Sequence, residues 1–399
     1  MSLADSNRVR LSYVKETTFG TAVTNPALQI LRLTSSDFAA NKQTAVSDEL
    51  RADRMTGDLI ETAFDSGGSL NVEMSLGDSY DTGDGLIEGA MCADFSTVLP
   101  PAAGTLDIVA GTKTITDAAT SGQFTNAVVG QWILFGGFVA AGNNGWFKVA
   151  SITSTEIIVV EDPGAVLVDA SGTGVETARG KSVINGTDDP SFMVEQAFTD
   201  VELYQLFLGQ RVGTWSMNVE SGSILTGSFG FQGTEVQTDT ADPASWLGSG
   251  SYTAATTTPV LNATSNVGTI VKDGAALSTA IQSFDMELDN ALRNQNAIGN
   301  KYPIGIGYGR VTISGTLSAY FEDMTLYDDM LDHADVSLEF SFSDTDGNAM
   351  HIELPRVKFA ASAPSAPGID QDVMEDLEWQ AIVDTGGDFM MRVDIANVV

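Results

Sequence analysis

The sequence predicts a mainly β protein, and three observations support this class. The chain of 399 residues holds 40 Gly but only 11 Pro, beside many Thr and Ser, and this composition favours strands joined by tight turns. Polar and apolar residues alternate with a period of two over residues 69–76 and 311–320. With 43% hydrophobic residues, a chain of this length can bury more than one core.

Each predicted strand has one apolar face. Leu70, Val72 and Met74 alternate with Asn71 and Glu73 in the first segment. The same pattern predicts further strands around Ile313 and Leu317, Met217 and Val219, Leu225, Phe229 and Phe231, Leu338, Phe340 and Phe342, and Ile352 and Leu354. Segments 377–383 and 391–395 flank Gly386 and Gly387, which predicts a hairpin. An antiparallel meander is therefore expected.

Three short helices are predicted, each after a strand. Thr199 and Glu202 have the spacing of a capping box, and Thr325 and Asp328 open a second helix in the same way. A weaker third helix covers residues 82–91. Strand, helix and strand therefore recur near residues 68–92, 190–220 and 310–342, which indicates either an internal relation or a chance recurrence.

The composition changes between about residues 100 and 180, where bases become rare and Ala, Thr and Gly are dense. The sequence Asn143-Asn144-Gly145 predicts a hairpin turn within this stretch. We therefore expect a discontinuous core of residues 1–98 and 182–399 with a small inserted β-domain at 99–181. Trp132, Phe135, Trp146 and Phe147 are expected to form the core of this inserted domain. The alternative is that one of these side chains contacts the host surface.

The charge balance excludes several classes of partner. The chain has 53 Asp and Glu against 19 Lys and Arg, a net charge of −34. A surface this acidic repels nucleic acid and anionic lipid. The most apolar stretch, residues 128–142, is too short to span a bilayer, and the amino-terminal residues do not resemble a signal peptide. Cys92 is the one cysteine, so no intrachain disulfide forms. The product is expected to be soluble in the cytoplasm when made.

No catalytic, cofactor or metal site is predicted. His333 and His351 are the two histidines, and both are interpreted as structural. The stretch Gly180-Lys181-Ser182 lacks the earlier glycine of a phosphate-binding loop. Residues 344–348 resemble a calcium loop but lack its later ligands, so a hairpin turn is favoured, and Asp78, Asp81 and Asp84 are discounted for similar reasons. The chain is not expected to be an enzyme.

Several segments in order along the chain resemble a known family. They are residues 8–22 (RVRLSYVKETTFGTA), 28–34 (LQILRLT), 48–54 (DELRADR), 67–74 (GGSLNVEM), 226–233 (TGSFGFQG), 311–317 (VTISGTL) and 353–359 (ELPRVKF). Together they are similar to tail tube proteins (major tail proteins) of long-tailed bacteriophages with non-contractile tails. The stretch around 100–180 departs from a minimal tube subunit.

The resemblance implies a structural virion protein. Its fold would be a tail-tube β-sandwich that forms a barrel on assembly, with short flanking α-helices. In that family, subunits form rings, usually of six, which stack into a hollow tube around a tape-measure protein. Tail terminator and baseplate proteins are the other implied partners, assembly takes place in the host cytoplasm, and viral DNA passes through without binding. The alternatives are another virion β-sandwich protein, from a baseplate or capsid accessory, or a surface adhesin.

Two surfaces are predicted to serve such a tube. Residues 38–65 are expected to form a long loop that contacts the neighbouring ring. The candidate inter-ring residues are Lys42, Asp48, Glu49, Arg51, Asp53, Arg54 and Asp58. The polar strand faces are expected to line the lumen, while the helices after Thr199 and Thr325 cover the outer side. The lumen-facing candidates are Asn71, Glu73, Thr312, Ser314 and Thr316.

Overall fold

The computed structural model describes residues 3–77, 85–98, 106–162, 164–173, 175–365 and 368–397. The strands in chain order are β1 (Val9–Lys15), β2 (Ala27–Ile30), β3 (Ser35–Ser36), β4 (Ala39–Val46), β5 (Leu59–Glu73), β6 (Ser96–Thr97), β7 (Leu106–Val109), β8 (Thr114–Asp117), β9 (Trp132–Gly136), β10 (Gly145–Ser154), β11 (Ile157–Val160), β12 (Thr177–Arg179), β13 (Lys181–Ile184), β14 (Phe192–Phe198), β15 (Leu203–Glu220), β16 (Thr226–Gly233), β17 (Val236–Asp239), β18 (Ser251–Thr253), β19 (Val271–Lys272), β20 (Ala275–Ala276), β21 (Ile281–Asp289), β22 (Arg293–Gln295), β23 (Gly305–Gly307), β24 (Thr312–Tyr320), β25 (Val336–Ser343), β26 (Ala349–Ser365), β27 (Met374–Ala381) and β28 (Arg392–Ala396). The helices are α1 (Leu86–Met91), α2 (Pro243–Trp246) and α3 (Thr325–Leu331). The predicted mainly β class is confirmed.

A continuous antiparallel sheet forms one layer of the molecule. Its strands lie in the order β4, β5, β16, β15, β21, β24, β27 and β26. The long strands β15 and β26 contribute only their C-terminal halves to this layer. Their N-terminal halves enter a second layer, where β15 pairs with β14 and β17, and β26 pairs with β25 and β28. The main apolar core lies between the two layers.

The same order of pairings occurs twice along the chain. In the first unit, β5 pairs with β16, β16 with the second half of β15, and the first half of β15 with β14 and β17. In the second unit, β24 pairs with β27, β27 with the second half of β26, and the first half of β26 with β25 and β28. A helix follows the first strand in each unit, α1 after β5 and α3 after β24.

Irregularities of register fall at equivalent places in the two units. The pairing of β15 with β16 shifts between Val212 and Thr214, and that of β26 with β27 shifts between Phe359 and Ala361. The pairing of β14 with β15 shifts between Phe192 and Val194, and that of β25 with β26 shifts between Val336 and Leu338, with the extra residue in β15 and in β26. Bulges of this kind are placed features of a fold. Because the bulges lie at equivalent places in both units, we infer that the two units are related and that the chain contains a twofold internal repeat.

The predicted helix after Thr199 is wrong. Residues 199–202 form the turn between β14 and β15, and Glu202 has a positive φ of 54°, which does not continue a right-handed helix. The Thr199 hydroxyl donates to the Arg8 carbonyl (2.8 Å) rather than capping a helix. The predicted helix at Thr325 is present as α3, although its side chain does not cap it. Of the third predicted helix, α1 is present, while residues 82–84 lie outside the described residues, as do Asp78, Asp81 and Asp84.

The predicted loop at residues 38–65 is also wrong, because these residues form a β-hairpin. β4 pairs with the first half of β5 from Ala39 opposite Gly67 to Val46 opposite Leu59. Every residue of β4 is exposed, and exposed strands lack the one-sided apolar pattern that reveals a strand in sequence. The hairpin and its tip, residues 39–66, are called arm 1 below. Residues 290–311, which contain β22 and β23, occupy the equivalent place in the second unit and are called arm 2.

The predicted hairpin between segments 377–383 and 391–395 does not form. Both segments are strands, β27 and β28, but each pairs with β26 instead of with the other. β26 has 17 residues, which is long enough to hold β27 along its second half and β28 along its first. The hairpin predicted at residues 344–348 is confirmed, because Ser343 pairs with Ala349 across that turn.

Residues 106–179 form a separate six-stranded sheet in the order β12, β9, β10, β11, β8 and β7. This sheet has its own apolar cluster, which includes Phe135 and Phe147. The predicted pairing around Asn143-Asn144-Gly145 is confirmed, with Phe147 opposite Ile133. The strands on either side of this sheet, β6 and β13, pair with each other through Thr97 and Lys181. The chain therefore leaves and re-enters the main body at one point.

Candidate functional site

The continuous sheet has one polar face, and the strand register shows that it extends across seven strands. Residues directly opposite each other in antiparallel strands project to the same side. One such row runs Asn71, Ser228, Ser216, Glu287, Ser314, Gln380 and Lys358. A second row runs Glu73, Thr226, Asn218 and Asp285 and continues through Thr316 and Glu378. We call this surface the polar face.

The polar face exists because apolar residues alternate with the polar ones and occupy the opposite side. Trp215, Phe229 and Leu70 are fully buried between residues of the rows above. Phe284 of β21 stacks on Trp379 of β27 (ring centroids 5.6 Å apart, 3° between planes), which continues the apolar side into the second unit. α1 and Leu326 of α3 belong to the same core, so both helices lie on the side away from the polar face.

Carboxylates dominate the charge of the polar face. The acidic residues in these two rows are Glu73, Asp285, Glu287 and Glu378, and Glu220, Asp289 and Asp376 lie on the same side of their strands. Some are fixed by neighbours: the Ser318 hydroxyl donates to Asp376 (2.6 Å), and Thr316 donates to Asp285 through its hydroxyl and its amide. Lys358 ends the first row, where Asp335 binds its ammonium group (2.6 Å). The face therefore has a strongly negative potential.

The structure brings all the lumen-facing candidates together on this surface. Asn71 and Glu73 lie on β5, while Thr312, Ser314 and Thr316 lie four strands away on β24. Strands were predicted from the sequence at β15, β16 and β27, but their polar sides were not assigned to this face, and β21 was not predicted. The alternation of residues 283–289 was the available signal for β21, because apolar residues stand there at every second position.

Arm 1 projects from one end of the sheet and holds every predicted inter-ring residue. Its tip is the turn at residues 47–58, with Asp48, Glu49, Arg54 and Asp58 exposed. Arg51 donates to Asp53 with two nitrogens (3.0 and 2.6 Å), and this bond lowers the pKa of Asp53. The arm also exposes large apolar side chains, namely Val46, Leu50, Met55, Leu59 and Ile60. Exposed apolar groups gathered on one projection are typical of an interaction site.

Arm 2 lies against the base of arm 1. Glu61 accepts from Lys301 of arm 2 (2.9 Å) and also pairs with Lys42 (3.2 Å), and these bonds lower its pKa. Phe64 packs edge-on against Tyr302, with ring centroids 5.3 Å apart. The base of arm 1 is thus held in place, whereas its tip extends beyond these contacts.

The inserted sheet is joined to the main body by Trp132 and Trp146, which sequence reasoning placed in its own core. Trp132 stacks on His351 of β26 (4.9 Å, 16° between planes), and Trp146 meets the same imidazole edge-on (4.9 Å). Phe135 and Phe147 do lie in the inserted core. Strand alternation explains the split, because adjacent residues of β9 and β10 point to opposite faces.

Charged side chains also bind across this contact between the inserted sheet and the main body, which we call the joint. Lys148 binds Glu339 (2.5 Å) and Glu353 (3.3 Å); burial would lower the pKa of this lysine, but the two carboxylates raise it. The Arg392 guanidinium donates to the carbonyls of Val129 (2.9 Å) and Gly130 (2.7 Å) and also binds Glu353. These bonds cross between the two sheets, so the inserted sheet is docked on the second layer, opposite the polar face.

Within the described ranges, no group of His, Cys, Asp and Glu side chains could hold a metal ion. Among the helices of that same part of the chain, none is long and apolar enough to cross a bilayer.

The described residues thus form a mainly β body with one extended acidic face and a projecting arm. Comparison with family models matches residues 6–381 to the phage tail tube protein family. The match covers nearly the whole chain, and the chain belongs to this family. A search of curated proteins gave no match. The protein is therefore a bacteriophage structural protein that self-assembles into the tail tube and is located in the virion tail.

Proposed function

We propose that this chain forms stacked rings whose polar face lines the bore through which the genome leaves the virion. The observation that carries the proposal is the register of the polar face, which places carboxylates in rows across both units of the chain. DNA carries one phosphate charge per strand every 3.4 Å, so a negatively charged wall repels it at every position. DNA repelled in this way passes along the tube without binding.

The order of the layers in the molecule supports a position for the other surfaces in the tube. If the polar face lines the bore, the second layer lies outside it, and the inserted sheet lies outside both. We therefore propose that residues 1–98 and 182–399 form the discontinuous tube core, while residues 99–181 form an inserted domain that decorates the outer surface. The joint of Trp132, Trp146 and Lys148 supports this placement, because it docks the inserted sheet on the outer layer.

Arm 1 is proposed to contact the neighbouring ring in the stack. It projects beyond the sheet, exposes apolar side chains such as Leu50 and Met55, and holds charges of both signs. Exposed ion pairs contribute about 1 kcal/mol or less each, but the contact repeats around every ring. The remaining partners are the tape-measure protein inside the tube and the tail terminator and baseplate proteins at its ends. The virion is that of a phage with a long, non-contractile tail, assembled in the host cytoplasm.

Assembly of the purified protein tests this function. The protein is incubated at high concentration and examined by negative-stain electron microscopy. Hollow tubes with a stain-filled centre are the expected result. Persistent monomers over a range of salt and protein concentrations would contradict the proposal and favour the alternative of a baseplate or capsid accessory protein.

A further inference from the structure

The main apolar core is open at one end of its strands. A cleft of about 100 Å³ enters the core there, and we call it the end cleft. Phe284 of the continuous sheet and Phe340 and Phe342 of the second layer form its floor, and all three are buried. The half-buried side chains at its mouth are Ala263, Val267, Ile270 and Ile281. Protein interiors leave few voids larger than a water molecule, so this opening differs from the packing around it.

The mouth of the end cleft has a fixed shape. Residues 263–270 cross the end of the core, and main-chain hydrogen bonds hold them there. The Ala263 amide donates to the Ser223 carbonyl (3.0 Å), and the Gly268 amide donates to the Ser341 carbonyl (2.8 Å). A side chain that enters therefore meets a preformed site, and a preformed site loses less conformational entropy on binding.

The end cleft and arm 1 lie at opposite ends of the same strands. β5 leaves arm 1 at Ser66 and ends at Glu73, which is about 23 Å away along the strand. Pairing through β16 and β15 places Asp285 of β21 level with Glu73, and Phe284 is one residue further from arm 1. Arm 1 points away from this end, so Leu50 of one chain does not reach the end cleft of the same chain.

The end cleft lies on the core side of the continuous sheet. Val219 and Phe284 line it, and both point away from the polar face, which carries their neighbours Asn218 and Asp285. The sheet itself therefore separates a side chain in the cleft from the polar face. Docking at this site leaves the proposed bore clear.

We propose that the end cleft receives Leu50 from arm 1 of a second copy in the next ring. The proposal rests on the tube function above and deepens it by naming the surface that arm 1 contacts. Barrel strands run from one face of a ring to the other, so stacking brings the arm end of one ring to the cleft end of the next. A contact between two different patches does not close on itself, so it repeats along the tube.

The size and exposure of Leu50 fit this site. Its side chain is fully exposed in the single chain, so it has no packing partner to leave. An apolar cavity of about 150 Å³ binds a benzene ring, so one of about 100 Å³ takes roughly four carbon atoms, which is the size of a leucine side chain. Entry of this side chain buries apolar surface on both partners, which drives association.

Arm 2 offers the competing occupant, because its Ile298 is also fully exposed. Arm 2 contacts arm 1 near its base, where the Phe64 amide donates to the Lys301 carbonyl (3.1 Å). Leu59, where the tip of arm 1 begins, lies about 15 Å further out along the hairpin. Leu50 belongs to that tip and therefore reaches further into the next ring.

Closing the cleft from within its own chain tests the proposal. Ala263→Leu adds an aliphatic side chain at the mouth, so the melting temperature should be unchanged or raised while the sedimenting polymer falls at least tenfold. Ala150→Leu, at an exposed position of the inserted sheet, is the control and should polymerise as the wild type does. Normal tubes from Ala263→Leu would overturn the proposal. If Ala263→Leu lowers the melting temperature, the crosslinking experiment below decides.

A disulfide between the two partners is the second test. The variant carries Leu50→Cys and Gln282→Cys, the latter at an exposed position that lines the cleft. The matched control carries Ile298→Cys and Gln282→Cys, and the buried Cys92 is kept in both. After assembly and mild oxidation, non-reducing electrophoresis should show a covalent ladder that extends past the number of chains in one ring, because each link passes to the next ring. The control should give at least tenfold less.

The outcomes separate this contact from the tube function. Tubes without the Leu50 crosslink, tubes crosslinked through Ile298 instead, or a ladder that stops at one ring would overturn the proposal and leave the tube function standing. Crosslinked chains without tubes, in the variant and with the wild type also forming none, would support the docking and count against the tube. Absence of both tubes and crosslinks, in proteins whose melting temperature in reductant matches the wild type, would contradict both.

Discussion

The indole of Trp132 lies flat on the imidazole of His351, with ring centroids 4.9 Å apart and 16° between the planes. The first residue belongs to the inserted sheet and the second to the main body. Because each ring covers the other, this contact fixes how the inserted sheet is oriented on the second layer.

Replacement of the indole is expected to loosen the inserted sheet. Trp132→Ala removes the stacking surface and leaves a gap beside His351, at a cost of about 2–4 kcal/mol in the free energy of unfolding. Chemical denaturation and limited proteolysis between residues 106 and 179 measure this loss. Val139→Ala, at a side chain that is 93% exposed, is the control and should change stability by less than about 0.5 kcal/mol. Equal stabilities for the two variants would show that the joint does not depend on this stack.

The joint should also respond to pH through His351. Its pKa is lowered to about 4 because burial disfavours the imidazolium and Lys148 repels it. The unfolded chain binds this proton near pH 6.5, so stability that is complete above pH 6.5 is lost as the pH falls towards 4. Denaturation midpoints for the wild type and His351→Asn should therefore converge or cross over that window. Asp394, whose pKa is raised to about 6 by burial, titrates in the opposite sense but is present in both proteins. A constant difference between the two proteins from pH 7 to pH 4 would contradict this assignment.

The inserted sheet is expected to be dispensable for polymerisation. Replacing residues 99–180 with a short Gly/Ser linker keeps β6 and β13, whose pairing of Thr97 with Lys181 brings the cut ends together. The shortened protein should form tubes of the same bore and smaller outer diameter, as measured by negative-stain microscopy. A folded deletion protein that stays monomeric would show instead that this domain joins subunits.

Charge reversal at the tip of arm 1 is expected to weaken the stacking of rings. Arg51→Glu with Arg54→Glu should yield rings or short tubes, with the mean tube length reduced several-fold. Lys113→Glu, at an exposed turn of the inserted sheet, reverses one charge away from the arm and should leave tube length unchanged. Tubes of normal length from the double arm variant would exclude a role for these charges.

The apolar side chains of the same tip should matter more than its charges. Leu50 is fully exposed and Met55 is 67% exposed, so neither stabilises the isolated chain. Leu50→Ser with Met55→Ser is expected to leave the melting temperature unchanged and to reduce tube formation tenfold or more, since buried apolar area drives such contacts. Sedimentation measures the polymer fraction. Unaltered polymerisation would place the ring contact elsewhere.

The sequence predicts the strands that have one buried face. The prediction is wrong where a strand has no apolar face and where the pattern does not show which strand is its neighbour. Leu70, Val72, Phe340 and Phe342 alternate with polar residues and lie in strands as expected. β4 is exposed on both faces, so its residues show no apolar period and the sequence predicts a loop there. Alternation predicts a strand but does not identify the strand it pairs with, so the sequence predicts a hairpin of β27 and β28 although each pairs with β26.

The residues of the polar face could be predicted from the sequence, but their arrangement on one surface could not. Asn71, Glu73 and Thr316 were identified from the polar sides of single strands, but their arrangement on one surface depends on the register of the strands between them. Trp132 and Trp146 are predicted in the inserted core beside Phe135 and Phe147. Their burial is against His351 of the main body, a contact between residues more than 200 positions apart that no local pattern encodes.

The electrostatic role of the polar face can be tested in the phage. Glu287→Lys with Glu378→Lys places attractive charges in the rows of the polar face, and genome ejection should slow at least tenfold as DNA binds the wall. The delay should shrink at higher salt, and single-particle fluorescence measures it. Glu161→Lys with Asp346→Lys, at exposed positions outside the rows, should eject normally. Normal ejection from both variants would show that the acidic wall does not govern passage.

The most direct measurement is an electron cryo-microscopy reconstruction of the assembled tube at a resolution that shows side chains. Asn71, Glu287, Thr316 and Glu378 are expected to line the channel as one continuous β-barrel wall, with the inserted sheet on the outside. A channel lined by Trp215, Phe229 and their apolar neighbours, or a polar face turned towards the exterior, would contradict this expectation.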